Sequence, residues 1–192
     1  VINNAPNLTS IHISKNVTSL PSELFYKCDK VIKLTVDPEN PVYRSEGNCI
    51  IERASGKLVF GCNGSVIPAN VKIIGESAFA SSASLKSLIL PEGIEVIETR
   101  AFSDCVALAS ITLPESLISI GEFAFYNCSS LESISFGAKV ERIDSYAFST
   151  CTGLVSIHLP DSVTLGDGFF YNCSSLKSVK IPAAQTSLSP IM

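Results

Sequence analysis

A step of 23 residues recurs along this chain and limits its possible folds more than any other feature. Cys105, Cys128 and Cys151 are separated by it, as are the pairs Ala101-Phe102, Ala124-Phe125 and Ala147-Phe148. Leu108, Leu131 and Leu154 repeat at the same step, and so do Ile111, Ile134 and Ile157. Four columns with one period define a stacked array, because a unit this short buries its apolar positions only against its neighbours.

In idealised form the unit reads L-P-x-x-V-x-x-I-G-x-x-A-F-x-x-C-x-x-L-x-S-I-x. Regular copies occupy 13–35, 67–89, 90–112, 113–135, 136–158 and a slightly short 159–180. Leu8 and Ile11 already stand in the right columns ahead of the first full unit. The segment L-x-S-I-x-L-P alternates apolar and polar residues, the period of a half-buried strand. In LESISF, Leu131, Ile134 and Phe136 are expected to point inward while Ser133 and Ser135 point out. Stacked in register, such strands form a parallel sheet along one face, and the proline ends each strand. A second apolar pair, Leu117 and Ile120 in one unit, precedes a glycine that permits a tight turn. The A-F-x-x-C segment is expected to be a short helical or irregular turn with its Phe and Cys buried.

These motifs, continuous in VKIIGESAFASSASLKSLILP, resemble the leucine-rich repeats of BspA-like bacterial surface proteins and the similar Treponema pallidum repeats. The resemblance covers nearly all of the chain. It implies a curved solenoid, α/β-type but mostly β, with short parallel strands on the concave face and loops and short helical turns on the convex face. Residues 1–192 are then a single leucine-rich repeat domain. The resemblance also implies an exported or cell-surface protein of gut or oral bacteria, lipid-anchored in some members. The chain opens on VINNAPN, without an initiator Met or a charged and apolar leader, so any signal peptide is expected to have been removed.

Two segments depart from the period. Residues 36–66 exceed a unit, and NCIIERASGKLVFGC within them reads as a hairpin turning near Ser55-Gly56. This irregular unit is either a distinctive surface or a spacer that changes curvature. The unit 159–180 lacks one residue and puts Phe169 in the Ala column, which suggests packing that opens toward the end. The tail 181–192 carries no further repeat and reads as a loose cap or linker.

The composition narrows the chemistry. Only 17% of residues are charged against 46% hydrophobic, yet no apolar run reaches the roughly 18 residues of a membrane span. A net charge of -4 and the absence of basic runs exclude an electrostatic nucleic-acid footprint. Five of the seven cysteines (Cys28, Cys105, Cys128, Cys151 and Cys173) share one unit position, so stacking sets them in a line. Metal ligands must converge from several directions, and parallel side chains in a line do not. These five read as buried free thiols, whereas Cys49 and Cys62 flank the hairpin and are the pair for which a disulfide stays open. His12 and His158 fall roughly six rungs, or about 29 Å, apart and cannot share a site. Five N-x-[ST] sequons, at Asn7, Asn16, Asn63, Asn127 and Asn172, carry meaning only in a eukaryotic secretory pathway. No catalytic constellation, metal site or cofactor cradle stands out, and the chain is expected not to be an enzyme.

The candidate binding surface is the outward side of the stacked strands. One column holds Ser10, Ser87, Ser110, Ser133, Ser156 and Ser178; its neighbour holds His12, Thr35, Ile89, Thr112, Ser135, His158 and Lys180. Small hydroxyls either simply fit a crowded inner curve or form a neutral hydrogen-bonding surface for a protein or glycan. Tyr26, Tyr126 and Tyr171 are expected outside on the turns. The function expected is an adhesin-like interaction module for a host or extracellular-matrix protein. A carbohydrate-binding accessory and a non-binding structural spacer are the alternatives.

Overall fold

The computed structural model describes residues 2, 4–183 and 185. Of the sequence tail, residue 184 and residues 186–192 lie outside the described residues. The chain winds as a mostly-β solenoid in which parallel strands recur one unit apart. Its strands are β1 (Ser10–Ile13), β2 (Lys33–Val36), β3 (Tyr43–Glu46), β4 (Cys49–Glu52), β5 (Leu58–Phe60), β6 (Ile73–Ile74) and β7 (Ser87–Ile89). They continue as β8 (Val96–Ile97), β9 (Ser110–Thr112), β10 (Ser119–Ile120), β11 (Ser133–Ser135), β12 (Arg142–Ile143), β13 (Ser156–His158) and β14 (Thr164–Leu165).

The L-x-S-I segments are strands, each with its central Leu or Ile buried between exposed residues, as the alternation requires. They do not form the single continuous sheet expected. They pair two by two, β1 with β2, β7 with β9 and β11 with β13, all parallel. At one break the reason is visible. The Leu34 N–H of β2 donates to Asn48 Oδ1 at 2.7 Å, and Asn48 Nδ2 donates to the Ile32 carbonyl at 2.7 Å. One side-chain amide thus occupies the place of the next strand.

The continuous sheet lies on the other face. The V-x-x-I segments form two-residue strands, and the sheet order is β14-β12-β10-β8-β6-β5-β4-β3. The parallel part registers Val96 with Ser119 and Ser119 with Arg142. The shortened unit keeps this ladder by dropping its residue between Val163 and Leu165, so that Ile143 pairs with Leu165. Where a glycine precedes an A-F turn, as Gly75 and Gly121 do, it serves close approach and not a special backbone angle; Glu98 and Asp144 hold the same position in other turns. A Cβ at Gly121 would stand 2.7 Å from the Thr99 nitrogen of the preceding turn, and its φ is not positive.

No helix forms among the described residues, contrary to the short helical turns expected. Backbone angles and hydrogen bonding explain this together. Arg100 and Asp104 have φ of 54° and 60°, and the equivalent residues of the next unit, Phe123 and Asn127, have 55° and 57°. Left-handed residues four apart stop helix propagation. The N–H groups then alternate in their partners. Ala101, Ser103 and Cys105 donate three residues back within their own turn, to Glu98, Arg100 and Phe102. Arg100, Phe102 and Asp104 donate across to Glu122, Ala124 and Tyr126 of the next turn, at 2.9, 2.8 and 2.8 Å.

Inside the turns Phe79, Phe102, Phe125 and Phe148 stack, with ring centroids 5.2, 5.1 and 5.0 Å apart and nearly parallel planes. All four rings are essentially without exposure. The cysteine column packs beside them, and all seven cysteines are free thiols. Each thiol of the regular turns donates to the preceding turn. Cys105, Cys128, Cys151 and Cys173 Sγ reach the carbonyls of Phe79, Phe102, Phe125 and Phe148 at 3.1, 3.2, 3.1 and 3.0 Å. Cysteine here is a small apolar filler that also occupies a backbone acceptor. Burial pushes the Cys105 and Cys151 thiols up to about 12 and Cys128 well above its ordinary value.

The irregular unit contains one more strand than its sequence suggests. The expected hairpin is β4–β5, but β3 also pairs antiparallel with β4 through Gly47 and Asn48, both with positive φ. A Gly-Asn pair with this geometry is a two-residue hairpin turn. β5 then pairs parallel with β6 and joins this three-stranded meander to the array. Ile50 and Phe60 face a core with Ile11, Val31 and Leu34, while Ile51 and Leu58 face the long core of the regular units. β4 is therefore buried on both sides. Asn40, 2% exposed, anchors the meander through all of its amide capacity: it donates to Ser14 and Val17 carbonyls and accepts from Val42 and Tyr43 N–H.

Phe125→Ala in the middle of the stack is expected to cost about 3–5 kcal/mol, against at most about 0.5 for exposed Ile118→Ala, in urea unfolding. Cys128→Ala is expected to cost about 1–2 kcal/mol, from a small cavity and a lost donor. The thiols also set an alkaline limit. Below pH 9.0, the ordinary thiol value, both states keep their protons; above it the unfolded chain ionises first. Stability is therefore expected to fall as pH rises from 9.0 toward about 12. Equilibrium unfolding in a pH series checks this, and a flat profile over that range contradicts it.

Candidate interaction surface

The alternation within each L-x-S-I strand fixes which side chains leave the core. Ser87 stands opposite Ser110, Ile89 opposite Thr112, Ser133 opposite Ser156 and Ser135 opposite His158. A further bridge sets Ser156 against Ser178. All of these residues are exposed, as is Lys180 beyond them. The structure thus brings the candidate residues into adjacent rows in two blocks, Ser87 to Thr112 and Ser133 to Ser178, which touch between β9 and β11 without ladder pairing. At the other end Ser10 and His12 continue the same rows on β1, facing Lys33 and Thr35. The meander stands between this pair and the regular units.

The rows carry little charge. Among the described residues no protein group takes up the hydroxyls of Ser87, Ser110, Ser133, Ser156 or Ser178, which leaves each a donor and acceptor toward solvent. Thr35 differs, because its hydroxyl donates to the Ile11 carbonyl and meets His12 Nδ1 at 3.0 Å. Lys180 is paired with Asp161 at 2.7 Å. Ile89 is 72% exposed, and Ile32, in the column beside the serines, is 61% exposed. Sequence reading passed over Lys33 and Ile32. The signal was present in the unit 13–35, where Lys33 occupies the serine position and Ile32 the position before it.

Three other sets of residues are placed elsewhere. Tyr126 and Tyr26 are half-buried on the turns, and Tyr171 is 52% exposed there. Cys49 and Cys62 are buried free thiols in the meander; burial raises both, Cys49 to about 11. Neither is a thiolate near neutral pH, so neither has the character of a nucleophile. His12 and His158 lie on β1 and β13, apart as expected. Among the described residues no group of three or more His, Cys, Asp or Glu is placed to hold a metal ion. No helix among them is long and apolar enough to cross a membrane.

The architecture has known counterparts. A cell-surface leucine-rich protein of Faecalibacterium prausnitzii superposes with a TM-score of 0.78 at 31% identity, over 88% of this chain and 47% of that one. The pneumococcal vaccine antigen PcpA superposes with a TM-score of 0.75 at 25% identity, over 89% of this chain and 44% of PcpA. The Treponema pallidum leucine-rich repeat protein is 38% identical over 58% of this chain, with a TM-score of 0.57 and 53% of that chain covered. The present chain thus spans about half the length of each. No curated protein matches it. The family described as BspA type leucine-rich repeat region matches residues 2–51 and 64–191 in 6 copies. With that match, the repeat columns and the solenoid agreeing, this chain belongs to the BspA-type leucine-rich repeat family.

Proposed function

We propose that this chain is the repeat module of a bacterial cell-surface protein and binds a protein ligand, from the host or its extracellular matrix, along the Ser and Thr rows. The observation that carries the reading is the register: exposed hydroxyls without partners stand one rung apart on strands fixed by a fully buried core. Such a surface is formed before any ligand arrives, so little ordering cost opposes the sum of modest contacts. Near-neutral rows with isolated apolar residues at Ile89 and Ile32 suit a protein surface of mixed polarity. The two relatives whose names refer to a cell surface or a vaccine antigen support the compartment. The glycan reading is weaker on one observation: neither row contains Phe, Tyr or Trp, the flat faces on which sugar rings stack.

The test is an array of purified matrix proteins and glycans probed with the chain and with Ser110→Glu/Ser156→Glu. Binding to one or more proteins is expected, reduced about tenfold or more by two buried like charges in the interface. Thermal unfolding of the double variant should stay within about 0.5 kcal/mol of the parent, because both sites are exposed. Binding confined to glycans favours the carbohydrate reading, and binding to neither leaves a spacer. Trypsin treatment of intact cells checks the compartment: the protein should be cleaved without lysis.

A further inference from the structure

Junctions between regular turns are bonded main chain to main chain. Ile118 and Gly121 N–H donate to the Glu95 and Ile97 carbonyls, and Arg100, Phe102 and Asp104 N–H donate to the following A-F turn. The first turn, residues 4–36, is joined to the rest differently. Among the described residues none of its hydrogen bonds reaches residue 67 or beyond. Those that leave it end on the segment just after it and on the meander, and one of them is main chain to main chain, from the Asp37 N–H to the Ile13 carbonyl at 2.8 Å. The others depend on side chains. Asn48 and Ser45 take the Leu34 and Val36 N–H groups, Asn40 Nδ2 donates to the Ser14 and Val17 carbonyls, and the Leu20 N–H donates to the Tyr43 hydroxyl. The meander itself belongs to the array. β5 pairs with β6, Gly61 and Gly75 N–H bond across to and from the unit 67–89, and Lys57 is paired with Glu98 at 2.8 Å.

Packing divides at the same place. Ile11, Val31, Leu34 and Cys28 share a core with Ile50, Phe60 and Cys62, separate from the long core that holds Cys49, Ile51 and Leu58. The column of stacked rings ends at Phe79, and Phe25 instead meets Phe60 edge to face at 4.8 Å. Beside these rings a cavity of about 30 Å³, room for about two waters, is lined by Ser77 and Ser81, whose buried hydroxyls have no hydrogen-bond partner.

We infer that residues 4–36 are a hinged cap, which comes off the meander as one unit at Asp37-Pro38 while the meander and the regular units stay folded. A solenoid unit is held by its own interactions and by its interfaces with its neighbours, so the unit with the weakest interface opens first. Opening uncovers the Ile50 and Phe60 side of β4 and β5 and leaves Ile51 and Leu58 on the long core. The cap carries Ser10, His12, Ile32 and Lys33, so opening withdraws one end of the exposed rows and keeps Ser87 to Ser178 in register.

The chain's own thiols report the event. Cys28 lies in the cap, Cys62 faces it from the meander, Cys49 faces the long core, and Cys105, Cys128 and Cys151 lie deep in the array. The native chain is treated with N-ethylmaleimide, alkylation of each thiol is followed by mass spectrometry, and each rate is divided by that of the same thiol in the denatured chain. Cys28 and Cys62 are expected to share one rate, about tenfold or more above that of Cys49, Cys105, Cys128 and Cys151. Asn48→Gly keeps the left-handed angle, φ 61°, and removes the amide. It should raise the Cys28 and Cys62 rates about tenfold and leave the other four unchanged. Phe125→Ala should do the reverse, quickening the array thiols alone. One common rate for all six thiols would show a single cooperative unit and overturn the inference. So would a fast Cys28 beside a slow Cys62, which is fraying of the chain end, or a Cys49 as fast as Cys62, which is loss of the meander with the cap.

Discussion

Everything in this protein depends on how one turn's backbone N–H groups find partners. A 23-residue turn has no interior of its own, and a buried N–H without an acceptor costs about as much as a lost hydrogen bond. The A-F segment solves this by alternation: one N–H closes on its own turn, the next reaches the following turn. That alternation needs left-handed residues at two fixed positions, occupied by Arg100 and Asp104, Phe123 and Asn127, Tyr146 and Thr150. Non-glycine residues bear a cost there, and a helix would relieve it. What holds them is the register of the stack, because leaving the conformation would break three bonds to the neighbouring turn and separate the phenylalanine rings.

The cysteine column follows from the same geometry. The Phe carbonyl in each turn already accepts the N–H three residues on, and its second lone pair faces the next turn's side chain. Serine there would bring a stronger donor but a hydroxyl that is costly to enclose; alanine would leave the carbonyl half-used. A thiol is apolar enough to bury and polar enough to donate. The unit 67–89 carries Ser82 at this position, and it is half-buried at the array's interrupted end, where a hydroxyl meets water.

How much of this was legible in the sequence follows from the length of each element. The repeat columns fixed the buried set, and Phe102, Cys105, Leu108 and Ile111 are all buried. The L-x-S-I strands were readable because alternation over four positions is a distinct period. The V-x-x-I strands were not, since Val96–Ile97 is two residues long and too short to show any period, although it carries the continuous sheet. The A-F turn shows a helix-like spacing, Phe to Cys three apart, because it is built of three-residue turns; its left-handed residues, Arg, Asp, Phe and Tyr among them, carry no common type that announces the angle. β3 was missed for a related reason: YRSE sends only Tyr43 into the core and shows no apolar alternation, and only Gly47-Asn48 marked the hairpin.

The serine rows were readable as a face but not as a site, because exposed small residues follow from strand alternation whether or not a ligand exists. The edge of the turn before the meander shows the opposite relation: among the described residues no hydrogen bond engages the N–H of Glu23, Phe25 or Lys27. Nothing in Glu23, Phe25 or Lys27 as side chains singles them out, since the feature lies in their main-chain N–H groups and in the chain inserted after them. Across the interruption Asn48 and Ser45 take the Leu34 and Val36 N–H groups, β5 pairs with β6, and the Gly61 N–H reaches the Ala78 carbonyl. Meanwhile Ser77 and Ser81 bury hydroxyls that find no acceptor in the chain. Both stand at the interruption of the repeat, the one junction of the solenoid that the 23-residue period does not dictate.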